Sequence, residues 1–282
     1  MNQANIDKLI SEALEIESEA AKEAGTLGFM ARALVQATMP HRKTKENTFV
    51  RENGAFSLAL MAHPKIGLPY GSIPRLLIAY LTTEAVRTKN REIELGGSLT
   101  EFMAHLKEVP TGGRWGSITR VREQTYRLFA SSVSCSYTAN DHVGGTNLTI
   151  AESYELWWDP KKPEQGSLFS SHVRLGERFF EEVSQRPVPI DLRALKALKK
   201  SPMALDIYCW LTYRMSYVRK PLVVPWGALQ AQFGSEYSRT RDFKRYFLGQ
   251  LRAVSVVYPE AKIYGLDHGL ELRPSPPHIA KL

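Results

Sequence analysis

Cysteine is nearly absent: the 282 residues hold only Cys135 and Cys209. Two are too few for a disulfide framework or a cysteine-rich zinc site, and each reads as a small buried hydrophobe. Long apolar runs are missing too. The longest, Leu76 to Leu81, is far too short to cross a bilayer, and the acidic start lacks the basic and apolar segments of a signal peptide. A cytoplasmic protein with no membrane partner is expected. No phosphate-binding loop of the Gly-x-x-x-x-Gly-Lys-Ser/Thr type occurs, which disfavours an ATP-driven motor. The seven histidines, His41, His63, His105, His142, His172, His268 and His278, include no pair at metal-binding spacing. Carboxylates such as Asp206 and Asp242 lie singly on charged helix faces. No metal, no cofactor and no catalytic centre are therefore expected.

What is present is an ordinary apolar fraction, 43%, with 23% charged residues, enough for one large or two medium cores. Charge is informative once located. Residues 1–24 carry 2 basic and 6 acidic side chains, residues 25–185 carry 19 and 16, and residues 186–282 carry 16 and 7. The respective balances of −4, +3 and +9 concentrate the net +8 in the last third. With a pI near 9.4, that is the footprint of a polyanion binder, nucleic acid first among them. An inert basic surface is the alternative.

Ile6, Leu9, Ala13, Ile16 and Ala20 form a helical stripe edged by Glu12, Glu15, Glu19 and Glu23. This acidic helix is repelled by DNA, so its apolar face is expected at a protein interface, with self-association into a homodimer as its use. Met39 to Gly54 is polar and basic and reads as a linker. Two prolines in Gln185 to Pro189 mark a boundary. The expected organisation is residues 1–54 as helix and linker, 55–188 as one domain and 189–282 as a second, more basic one.

One order of elements recurs in both halves. In the first, Pro74 opens a helix to about Lys89, followed by a strand at Glu92 to Leu95. Ser98 with Glu101 has capping-box spacing for a short helix, and a helix from Trp115 to about Ala130 comes next. A hairpin of Ser132–Tyr137 and Thr146–Trp158, turning at Gly144-Gly145, closes the copy. In the second, Ser201 and Pro202 begin a helix to about Tyr217, and Leu222–Val224 is a strand. Trp226–Phe233 and Arg239–Ala253 are helices, and Val254–Tyr258, Lys262–Tyr264 and Gly269–Leu272 are strands. The predicted fold class is α+β, mostly helical: two tandem winged helix-turn-helix domains with an N-terminal helical extension. A single α+β domain without duplication is the alternative.

Helical spacing nominates the recognition surfaces. Phe243, Phe247, Leu251 and Val254 make one stripe that must be buried, which turns Arg241, Arg245 and Arg252 outward, with Arg239 and Lys244 near the N-terminal end. Arginine on such a helix suits guanine edges and phosphates. In the first copy Ile118, Val121, Thr125 and Phe129 form the buried face. Ser117, Arg120, Gln124 and Arg127 are then expected outward, beside Arg114, with chemistry suited to bases and phosphates.

The segments Leu68 to Gly96, Pro110 to Gln124, Gly176 to Asp191 and Ala197 to Arg214 closely resemble the RepA-type replication initiators of bacterial theta-replicating plasmids. The resemblance spans roughly residues 65–275. It implies a tandem winged-helix protein that binds directly repeated double-stranded sites in the plasmid origin. It also implies opening of adjacent AT-rich DNA and recruitment of the host initiator and replicative helicase. A transcriptional regulator on the same scaffold and an origin-linked primase or nickase are the competing readings. Gln165, Leu168 and Phe169, in Gln165-Gly166-Ser167-Leu168-Phe169, resemble the pentapeptide that binds the bacterial sliding clamp, although Gly166 departs from the usual leucine.

Overall fold

The computed structural model describes residues 3–139, 141–167, 169–234 and 236–279. In chain order the elements are α1 (Gln3–Ser18), β1 (Leu27–Met30), α2 (Arg32–Gln36), β2 (Thr48–Asn53), β3 (Phe56–Ala62), α3 (Ser72–Thr88), β4 (Glu92–Glu94) and α4 (Leu99–His105). They continue with α5 (Ser117–Phe129), β5 (Ser131–Ala139), β6 (His142–Thr149), β7 (Ala151–Glu155), β8 (His172–Leu175), α6 (Glu177–Gln185), β9 (Val188–Asp191) and α7 (Leu192–Leu198). The last are α8 (Pro202–Met215), β10 (Leu222–Pro225), α9 (Trp226–Phe233), α10 (Thr240–Val257), β11 (Ile263–Gly265) and β12 (Gly269–Leu272). This mixed α/β chain divides into two compact bodies. One comprises residues 1–38, 51–56 and 188–282, the other 39–50 and 57–187.

The body that holds the chain's C-terminal third is built on α8. The Ser201 hydroxyl accepts the Ala204 amide and Pro202 stands in the first turn, so the helix starts where its orphan amides are satisfied. Residues 203–212 of α8 are all buried. Helix α10 packs on it and buries Phe243, Phe247, Leu251 and Val254, the predicted stripe. Phe247 sits 5.5 Å from both Phe233 and Phe243 and 6.0 Å from Trp226, ring centre to ring centre. Each such fully buried ring contributes about 1.5–3 kcal/mol. Strands β10, β12 and β11, antiparallel in that order, close this side.

Two expectations for this body are corrected. Val254–Tyr258 is the last turn of α10 rather than a strand, because Val254 and Val257 continue the buried helical face. Helix α1 is not a free docking surface: Leu9, Ala13 and Ile16 are buried, and the helix packs against α7 and α10. The stretch read as a linker is also structured. Within it Thr48–Asn53 form β2, whose Arg51 is fully buried, bonded to the Phe233 carbonyl and paired with Glu236 at 3.1 Å; ahead of it, β1 pairs antiparallel with β9.

The other body is built on α3, whose residues Ile73–Ala79, Leu81, Thr82 and Ala85 are buried against α5 and α6. Arg75 is buried but satisfied by the carbonyls of Met39, Pro40 and Gly71. The Ser98 cap forms as predicted, accepting the Glu101 amide. Two sheets complete it, ordered β2-β3-β5-β6 and β4-β8-β7. The predicted hairpin differs in detail. Gly144 and Gly145 lie within β6, opposite Tyr137 and Ser136, and the chain reverses between Ala139 and His142. The second half of the predicted strand is separate: β7 pairs with β8 in the other sheet.

Candidate nucleic-acid interface

Helix α10 is anchored by its aromatic stripe, so its polar face is fixed in direction. Arg241, Arg245 and Arg252 are exposed along it, and Arg239 is exposed at its N-cap. Arg245 keeps 84% of its side chain accessible while pairing loosely with Asp242 at 3.6 Å. Lys244 is used differently. Its ammonium donates to the carbonyls of Leu266 and Asp267 at 3.1 and 3.3 Å and lies 5.2 Å over the Trp226 ring. That lysine ties the β11–β12 hairpin to α10. On the hairpin, exposed Tyr264 stacks under Arg273 at 4.6 Å, and that guanidinium also pairs with Glu271 at 3.1 Å.

Helix α5 shows a clean buried face of Ile118, Val121, Thr125, Leu128 and Phe129. Three of the residues assigned to its outward face are turned inward, which corrects that assignment. Ser117 is buried and its hydroxyl donates to the Val109 carbonyl while accepting the Thr111 amide. The Gln124 side chain is buried and accepts the Tyr70 amide at 2.8 Å. Arg127 spends its guanidinium on Glu123, on the Leu68 carbonyl and on the Tyr70 ring. Arg114 and Arg120 are exposed as expected, and the residues missed are Trp115, Thr119 and Arg122, exposed beside them. Arg122 follows Val121 directly, so the periodicity that buries one exposes the other; that signal was available.

Before α5 the chain makes a closely bonded loop. The Ser117 amide donates to the Thr111 hydroxyl at 2.9 Å, the Gly116 amide to the Gly113 carbonyl at 3.1 Å and the Thr119 hydroxyl to the same carbonyl at 3.1 Å. Gly113, at φ +88°, takes a conformation other residues rarely adopt.

In the segment compared with clamp-binding peptides, Gln165 is exposed and Phe169 is 60% exposed, tilted against Trp157 at 4.8 Å. Leu168 lies outside the described residues. Both cysteines are buried, and burial pushes the Cys135 thiol up to about 11, which favours the neutral thiol. Among the described residues no helix is long and apolar enough to cross a membrane.

Comparison with known proteins gives a family match over part of the chain that ends before α10. The family described as "Plasmid encoded RepA protein" matches residues 68–226. No curated protein matches the chain. Among solved structures, a crystal structure of selenomethionine-substituted domains 2 and 3 of RctB is similar at TM-score 0.58 and 11% identity, covering 86% of this chain and 98% of that one. A second structure of RctB domains 2–3 aligns at TM-score 0.52 and 12% identity, over 85% of this chain and 94% of the other. At such identities the likeness concerns the fold.

Proposed function

This chain belongs to the plasmid-encoded RepA family of replication initiators, and from that premise we propose that it starts replication by binding directly repeated double-stranded sites in its plasmid's origin. In this reading both bodies are winged helix-turn-helix modules, joined at about residue 188, with α5 and α10 as recognition helices and the β5–β6 and β11–β12 hairpins as wings. The protein acts in the cytoplasm by binding and deforming DNA, without catalysis. Opening of adjacent AT-rich DNA and delivery of the host initiator, the replicative helicase and the sliding clamp follow from that bound state. A homodimer belongs to the same reading.

The observation that carries it is α10: three exposed arginines on a helix whose opposite face is locked by Phe243, Phe247, Leu251 and Val254. A rigid helix of 18 residues, about 27 Å long, can enter a major groove with guanidinium groups already aimed. The C-terminal third, with its balance of +9, supplies the phosphate attraction. Nuclease footprinting on the plasmid's own origin tests the proposal. Protection should fall on evenly spaced direct repeats and vanish steeply with salt. Protection no greater than on unrelated DNA overturns it.

A further inference from the structure

Trp115 is the most exposed large apolar side chain of the described residues, at 81%, in the loop that leads into α5. The loop is not slack. Residues 109 to 119 are tied by the Ser117 hydroxyl to the Val109 carbonyl, by the reciprocal Thr111–Ser117 pair and by two bonds to the Gly113 carbonyl. The backbone there is also close-packed: a Cβ on Gly116 would lie 2.2 Å from the Thr111 carbonyl oxygen. An indole held outward on a braced loop is pre-ordered, so engaging a flat partner sacrifices little loop entropy. One cation stands at the ring itself. Arg114 lies 5.1 Å over the ring, and Arg120 and Arg122 are exposed in the first two turns of α5.

An exposed aromatic platform with a guanidinium at its face matches the π-face of a nucleobase, with a neighbouring phosphate taken by the arginine. We propose that Trp115 stacks on a DNA base that has left its own stack, with Arg114 on a flanking phosphate. Such a base face is offered either by a kinked duplex step or by a melted strand. This inference rests on the DNA-binding reading above and adds a specific contact to it, in the body whose other nominated residues Ser117, Gln124 and Arg127 serve the interior.

The test uses the full chain and the variants Trp115→Phe and Trp115→Ala, titrated with two probes, a duplex of the origin fragment and oligothymidylate. Binding should quench the tryptophan emission of the wild type more than that of Trp115→Phe, in which the other four tryptophans remain. Trp115→Ala should lose about tenfold or more in affinity, while Trp115→Phe, which can still stack, keeps most of it. Loss on the duplex alone identifies the kinked step as the source, and loss on oligothymidylate identifies the open strand. Unchanged affinity of Trp115→Ala on both probes overturns the proposal, as does equal quenching in wild type and Trp115→Phe. If those outcomes occur while Arg241→Ala with Arg245→Ala abolishes binding, the DNA-binding reading stands and only the Trp115 contact falls. Absence of binding by the wild type itself overturns both.

Discussion

Arg193 grips Asp191 through both carboxylate oxygens, at 2.8 Å from Nη2 and 3.1 Å from Nε. The same guanidinium donates to the carbonyls of Glu15 and Glu19 at the end of α1, at 3.0 and 2.7 Å. Asp191 is 1% exposed and also caps α7 by accepting the Arg193 amide. One arginine thus neutralises a buried carboxylate and satisfies the last carbonyls of the N-terminal helix. Arg193→Ala leaves that carboxylate buried and unpaired, and the expected loss is about 3 kcal/mol in chemical denaturation. A midpoint equal to that of the wild type contradicts the assignment.

His278 gives the same body a pH dependence. Its Nδ1 lies within hydrogen-bond distance, 2.7 Å, of the Tyr208 hydroxyl, which also accepts the Asp191 amide. Burial lowers the His278 pKa below the usual 6.5, against the opposing pull of Asp191 and Glu260. The unfolded chain therefore binds more protons on acidification. Stability should be at its full value above about pH 6.5 and be lost as pH falls through the depressed folded value. Urea unfolding at pH 7.5 and 5.5 measures it, and His278→Asn should flatten the difference. An equal pH dependence in that variant contradicts it.

Gly116 permits the close turn before α5, because a Cβ there would meet two backbone oxygens, those of Thr111 and Gly112, at 2.2 and 2.3 Å. Backbone cannot yield as a flexible side chain can. Gly116→Ala is expected to cost about 1–3 kcal/mol and to speed hydrogen exchange at the start of α5. The Ile118 amide, which donates to the Thr111 carbonyl, is the site to follow. Unaltered exchange there contradicts the account of a braced loop.

Much of the secondary structure was legible because its signals are local. Ser98 with Glu101 and Ser201 with Pro202 mark helix starts through short-range chemistry, and both caps form. The spacing of Phe243, Phe247, Leu251 and Val254 needs no knowledge of the rest of the fold. Pairings distant in sequence were not legible: β1 and β9 are four-residue strands whose partners lie about 160 residues apart. Val254, Val256 and Val257 carry strand propensity, yet the helix runs through them with Val254 and Val257 buried, tertiary burial overriding a weak preference. On α5, periodicity separates apolar from polar but not solvated polar from internally bonded polar. Gln124 and Ser117 look like surface chemistry in sequence, and only the Tyr70 amide and the Val109 carbonyl reveal their work.

Whether α10 reads DNA is decided by one comparison: origin-fragment affinity of the wild type against Arg241→Ala with Arg245→Ala, with folding followed in parallel. Both side chains are exposed, so the double variant should unfold with the wild-type midpoint, within about 0.5 kcal/mol. Phe247→Ala on the opposite face should lose about 3–5 kcal/mol. Each lost bidentate contact is worth about 1–3 kcal/mol, so the arginine variant should bind its repeats at least tenfold more weakly and with a shallower salt dependence. Wild-type affinity in a folded double variant would contradict the assignment of α10 as the recognition helix.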